Sequence, residues 1–175
     1  MFAKGNPAII CENTDTDSWR RPLIHAIHST AFNRPDEANL VDSLRAEGVV
    51  LLSLIAESEK RIVGHILFTR MSLETATGSI PAAALAPVAV LPEYQRQGIG
   101  GQLIRRGLEL LRDRGERIVI VIGHPDYYGH FGFSCQNARF LESPFPLDVF
   151  MAIELSPGAL QGIQGKVRYP AAFGV

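Results

Sequence analysis

The apolar positions of this chain recur in two rhythms, one of helices and one of strands. Residues 8–12 form a short apolar run that predicts a first strand, and Thr14, Asp15, Thr16, Asp17 and Ser18 then crowd together the residue types that cap helices. From Trp19 onward Leu23, Ile24, Ile27 and Ala31 return every three or four residues, which lays them along one helical face. Pro22 falls near the start, where its missing N–H costs little. A second helix fits residues 36–47, with Leu40, Val41 and Leu44 on one side and Gly48 as its stop. Two helices thus precede the main sheet.

The rhythm then changes. Residues 49–57 and 61–73 read as strands joined by Ser58, Glu59 and Lys60, a connection short enough for an antiparallel hairpin. Residues 75–84 are small and polar and predict a loop. The next strand, residues 84–91, is interrupted by Pro87, which cannot donate to a ladder and so marks an edge, a bulge or a place where the sheet opens. Residues 101–114 predict a helix with Leu103, Ile104, Leu108 and Leu111 on one stripe and Arg105, Arg106, Arg112 and Arg114 outward. Residues 117–123, RIVIVIG, are β-branched enough for a strand buried on both faces, as in the parallel part of a sheet. A short segment at 126–131 and a last strand at 149–155 follow. The tail from Ser156 predicts irregular structure, with Val167, Tyr169 and Phe173 as anchors for packing back.

Composition narrows the class. With 175 residues, 46% of them hydrophobic and 20% charged, the chain suits one globular domain, residues 1–175, with a core at about 8–155. A net charge of −1 gives no bulk attraction to nucleic acid or an anionic membrane, so neither is expected as a partner. Residues 1–7 lack the apolar core of a signal peptide, no window approaches a membrane span, and a cytoplasmic location is expected. Cys11 and Cys135 are too isolated for a disulfide framework or a zinc site, and His25 and His28 have no third ligand in sequence, so no metal is expected.

The chemistry concentrates in VAVLPEYQRQGIGGQLIRRGLELL, residues 88–111, where Gly98, Gly100 and Gly101 lie at a strand-to-helix junction. A P-loop requires Lys and a hydroxyl after its last glycine, but Gln102 and Leu103 follow Gly101. A dinucleotide fingerprint requires a third glycine where Leu103 stands. What remains is a set of free backbone N–H groups at a helix N-terminus with Arg96 beside them, an arrangement suited to a pyrophosphate.

Gln95-Arg96-Gln97-Gly98-Ile99-Gly100 resembles the Q/R-x-x-G-x-G/A signature of the GNAT N-acetyltransferases. The preceding LAPVAVLPEY resembles that superfamily's fourth strand, and YYGHFGF, residues 127–133, resembles its Y-x-x-x-G-F segment. The order of elements over residues 8–155 is similar to the family plan, and the tail resembles an uncharacterised bacterial branch of predicted acetyltransferases. The resemblance implies an α/β fold with a central mixed sheet flanked by helices, and transfer of acetyl from acetyl-CoA to a primary amine of a small molecule or peptide. It implies that backbone amides of Arg96, Gln97, Gly98, Ile99, Gly100 and Gly101 hold the pyrophosphate of coenzyme A. Val88 and Val90 would pair with the pantetheine arm as if it were an added strand. Tyr128 falls on the family's tyrosine, which protonates the departing thiolate, with Tyr127 as a packing neighbour.

No acid stands on residues 85–91 to deprotonate the amine. His124, at the end of the buried strand, is the leading candidate base, with Glu93, His65 and Asp126 as others. The acceptor pocket is expected between the first two helices and the 75–84 loop. Another acyl chain or acceptor, or an acyl-CoA-binding module without turnover, is the alternative function, and the strand edges expected of this fold are compatible with a homodimer.

Overall fold

A computed structural model describes residues 8–175, so the N-terminal stretch 1–7 considered above lies outside the described residues. The chain runs β1 (Ile9–Glu12), a 3-10 turn at Asp15–Arg20, α1 (Arg21–Phe32), α2 (Asp36–Ala46), β2 (Val50–Ser58), β3 (Arg61–Thr75) and β4 (Gly78–Val90). It continues through α3 (Ile99–Asp113), β5 (Ile118–Ile122), α4 (Pro125–Tyr128), α5 (Cys135–Ala138), β6 (Leu141–Glu142), β7 (Phe150–Glu154) and β8 (Gly165–Arg168). The strands form one mixed sheet in the order β1-β2-β3-β4-β5-β7, with β4 and β5 parallel and the other neighbours in that path antiparallel.

Helices cover both faces. On one, α3 presses Leu103, Ile104, Leu108 and Leu111 against Leu52, Ile66, Phe68 and Val119, so the stripe read from its spacing is the one it buries. On the other, Ile24 and Ile27 of α1 and Val41 and Leu44 of α2 cover Ile55, Leu67 and Ala89. Leu23, expected on the same stripe, is 46% exposed at its edge. β5 is buried along Ile118–Val121 because it lies between β4 and β7 with cover on both sides, which is what its run of branched residues suits.

Two expectations are corrected. Residues 78–84 are strand rather than loop. β3 and β4 form a hairpin whose register runs from Thr75↔Gly78, and the alanines at 82, 83 and 84 are buried in it. The tail is not wholly irregular either. β8 adds antiparallel to Ser72–Thr75 of β3, on the edge that β2 leaves free beyond Thr69, and β6 joins it in parallel. Arg168 pairs with Glu74 at 2.7 Å across this junction, and Val167 packs into the core as expected.

The interruption at Pro87 shapes the sheet as anticipated. β4 pairs with β5 only over Ala83–Leu85; beyond that the two parallel strands part. On the other side of β4, the ladder to β3 shifts register between Ile66 and Phe68, opposite the proline. The sheet therefore has a slot between β4 and β5, open toward the start of α3 and the α4 segment.

Candidate active site

The slot ends at the glycine turn. After β4, residues Pro92–Tyr94 make one 3-10 turn and the chain reaches Arg96 at φ 58° and Gly98 at φ 83°, both left-handed. A Cβ at Gly98 would meet no wall, so glycine is required there by conformation rather than by space. The turn is braced by two side chains of the motif: Gln95 Nε2 donates to the Val90 carbonyl at 2.9 Å and Gln97 Nε2 to the Glu93 carbonyl at 3.1 Å. The first α-helical hydrogen bond of α3 runs from Gln102 N–H to Gly98 O at 3.0 Å. Among the described residues no main-chain carbonyl outside the turn takes up the N–H groups of residues 96–101, and they gather at the positive end of the α3 dipole.

A cavity of about 550 Å³ opens over this turn, lined by Val90, Arg96, Gly98, Ile99, Gly100 and Gly101, with Arg105, Tyr127, His130 and Phe131 on the opposite side. Five of the six turn residues singled out from the sequence line it; Gln97 instead braces the turn from behind. Arg105, read as an outward residue, lies over the Phe131 ring at 4.9 Å and faces the cavity. Tyr127, read as a packing residue, also lines it and edges onto the Phe131 ring at 5.4 Å. Local spacing gave no signal for either, because the α4 segment and the turn after it fold back over α3, bringing Tyr127 to the turn and Phe131 beneath Arg105.

A second cavity, of about 480 Å³, occupies the slot itself. Its floor is Leu85, Pro87 and Val88 of β4 with Ile120 and Ile122 of β5, and Tyr128 closes one side. Burial, with a smaller contribution from Tyr127, pushes the Tyr128 phenol up to about 12, so it is fully protonated at neutral pH. Its ring meets Tyr127 and Phe133 edge-on at 5.1 and 5.8 Å. Gly123 makes room for it: a Cβ there would lie 2.3 Å from Tyr128 Cε2.

The outer walls of this cavity depart from expectation. Phe32, Arg34, Glu37 and Leu40 come from α1, α2 and their junction, as anticipated, but the facing wall is Phe145, Tyr169 and Phe173 rather than the 75–84 segment. That segment is held in the sheet, and the C-terminal residues occupy the place assigned to it. Tyr169 is edge-on to Phe145 at 5.4 Å and tilted against Phe173 at 5.1 Å. The carboxylate of Glu47 at the end of α2 accepts the N–H groups of Ala171 and Ala172 at 2.9 and 3.0 Å, fixing the tail beside the cavity.

The four candidate bases are scattered. His124 is exposed at the N-cap of α4, makes no side-chain cap bond and is not among the cavity's lining residues. Asp126 is exposed in the first turn of the same helix. Glu93 points away to an ion pair with Arg61 at 3.3 Å. His65 is fully buried beneath α1 and α2, where its Nδ1 meets His28 Nε2 at 2.8 Å and its Nε2 meets Ser53 Oγ at 2.9 Å. Desolvation holds it well below the usual histidine range. His25 instead bonds Asp42 at 2.8 Å, so the two histidines of α1 diverge.

Comparison with known proteins agrees with this architecture. The model of the acetyltransferase (GNAT) domain matches residues 16–135. YjhQ of Escherichia coli K12, an uncharacterised N-acetyltransferase, is 42% identical over 135 residues, 75% of each chain. The crystal structure of the E. coli GNAT protein YhbS in complex with CoA superposes with a TM-score of 0.87 at 28% identity, covering 100% of this chain and 96% of that one. A Brucella melitensis GNAT acetyltransferase in complex with acetyl-CoA gives a TM-score of 0.77 at 32% identity over 95% and 97% of the two chains. With the domain model spanning residues 16–135 and a relative this similar over 75% of the chain, the protein belongs to the GNAT family of N-acetyltransferases.

Proposed function

We propose that this protein transfers the acetyl group of acetyl-CoA to a primary amine by direct attack within a ternary complex. The observation that carries the reading is the slot between β4 and β5, with unengaged amides at one end and a protonated phenol at its side. The amides of residues 96–101 would bind the pyrophosphate. The β4 edge at Val88 and Val90, left without a β5 partner, would receive the pantetheine arm, with Gln95 releasing the Val90 carbonyl if that group is used. The presence of CoA and acetyl-CoA in the YhbS and Brucella structures supports acetyl-CoA as the donor.

The chemistry then needs little beyond positioning. The free amine attacks the thioester carbonyl carbon, a C–N bond forms, and the carbonyl oxygen becomes an oxyanion that a β4 amide near Val90 can stabilise. Collapse breaks the C–S bond and sends its electron pair to sulfur. Tyr128 donates its hydrogen bond, and finally its proton, to that sulfur, and regains a proton from the attacking nitrogen through solvent. A phenol at about 12 stays protonated until the thiolate forms. His124, exposed at the mouth of the β5 end, would accept the ammonium proton only through water.

Release of free thiol from acetyl-CoA with a panel of amines, alongside calorimetric titration with CoA, tests the reading. Gly98→Val, which cannot hold φ 83° without strain, should weaken CoA at least ~10-fold while the far-ultraviolet spectrum is kept. An unchanged affinity removes the cradle from this turn. Tyr128→Phe should lower kcat ~100-fold with little effect on the acetyl-CoA KM; an unchanged rate removes its acid role. Tight CoA binding without thiol release on any amine would make the protein a binding module.

A further inference from the structure

The cavity in the slot contains a charge pattern that bears on which amine arrives. Of the described residues that line it, Arg34 and Glu37 alone carry a formal charge, and they neutralise each other. Arg34 Nε donates to both Glu37 oxygens at 3.2 and 3.1 Å and Nη2 bonds Oε1 as well. The remaining wall is apolar or aromatic. The Tyr169 hydroxyl there is buried, with Ser143 nearby but outside hydrogen-bonding geometry, and burial raises its phenol to about 12.

The two charged residues are not equally committed. The Glu37 side chain is only 16% accessible and sits in the first turn of α2, where the helix dipole favours a carboxylate. Arg34 is 59% accessible, and its Nε already lies 3.8 Å from Asp36 Oδ2 on the outer side. The guanidinium can therefore swing outward to Asp36 and leave Glu37 to another cation.

Resting on the acetyl-transfer reading, we propose that Glu37 is the ammonium anchor of the acceptor site and that the acceptor is a monoamine on an apolar, aromatic or branched body. Glu37 receives the arriving ammonium in place of Arg34, the proton then leaves through water before the same nitrogen attacks, and Phe32, Phe145, Tyr169 and Phe173 enclose the body. Burying the apolar body against these rings favours binding. A second ammonium on the same molecule finds no second carboxylate on that wall, only hydrocarbon and phenol hydroxyls, so burying its charge there is unfavourable. Polyamines and aminoglycosides are excluded on that ground. With Arg34 turned away, the N-terminus of α2 and the incoming ammonium both still favour the Glu37 carboxylate.

The test compares 2-phenylethylamine and isoamylamine with spermidine and kanamycin, using thiol release for turnover and calorimetry of amine binding to the CoA complex. The expected result is a kcat/KM for the apolar monoamines at least ~30-fold above that for the polycations. Glu37→Gln should raise the 2-phenylethylamine KM at least ~10-fold with kcat within ~3-fold and the acetyl-CoA KM unchanged, and Glu37→Asp should recover part of the loss. Polycations used as well as the monoamines, or a KM indifferent to Glu37→Gln, overturns the proposal. Failure of acetyl transfer itself is distinct: no thiol released, yet Glu37-dependent binding of the apolar amines retained. Absence of both binding and turnover with those amines overturns the inference.

Discussion

His28 and His65 meet inside the protein, and neither imidazole has any surface in water. His65 also reaches Ser53, and Arg45 Nη2 donates to the same serine at 2.8 Å, so the cluster has no room for a further positive charge. Burial is the main cause in both cases: it lowers His28 to about 4 and His65 well below 6.5. The unfolded chain takes up protons near pH 6.5 while the folded chain refuses them until about 4. The stability of the neutral pair is thus complete above pH 6.5 and falls as the pH drops toward 4, by up to about 1.4 kcal/mol per pH unit from His28 alone. Urea midpoints should hold from pH 7.5 to about 6.5 and then fall steadily to pH 4.5, in a window above that in which Glu37 protonates. A flat profile would show that the pair takes up charge within the fold.

At the scale of elements, α3 shows how closely helix and sheet approach. Gly107 faces Phe68 of β3, and a Cβ there would lie 2.2 Å from Phe68 Cε2. Helix propensity favours Gly107→Ala by about 1 kcal/mol, whereas overpacking a core costs about 1–3 kcal/mol. With Phe68 wholly buried and unable to retreat, the steric cost wins, and the variant should lose about 1–2 kcal/mol in denaturant unfolding; a gain would show that the ring can turn aside. The stripe of α3, the β5 run and the break at Pro87 were all legible because each is written in neighbouring residues. The start of β4 was not: Gly78, Ser79 and the alanines at 82–84 have poor strand propensity, and β3 and β5 hold them in place from elsewhere in the chain. β8 escaped for the same reason, being a short strand whose partners are Ser72–Thr75 and Leu141–Glu142.

The same distinction of range runs through the whole molecule. The glycine turn is continuous in sequence, and its residues were named from spacing and resemblance. The proposed acceptor cavity draws on Phe32, Glu37, Phe145 and Phe173, which no local pattern connects. Its outer wall depends on the two N–H bonds to Glu47. Glu47→Ala should release that wall, raising the KM for an amine several-fold while leaving the acetyl-CoA KM and the unfolding midpoint within error; a shared rise in both KM values would show that the tail also supports the donor side. β8 is the feature with the wider consequence. Because the last strand is hooked to β3, on the side of β4 away from β5, the segment that follows it brings Tyr169 and Phe173 to the slot without joining the ladder of β4 and β5. Under the proposed reading, the outer wall that meets the acceptor and the glycine turn that meets the donor are therefore supplied by separate stretches of chain. On that reading, substitutions beyond β7 should redirect the protein to a new acceptor while the glycine turn is inherited unchanged.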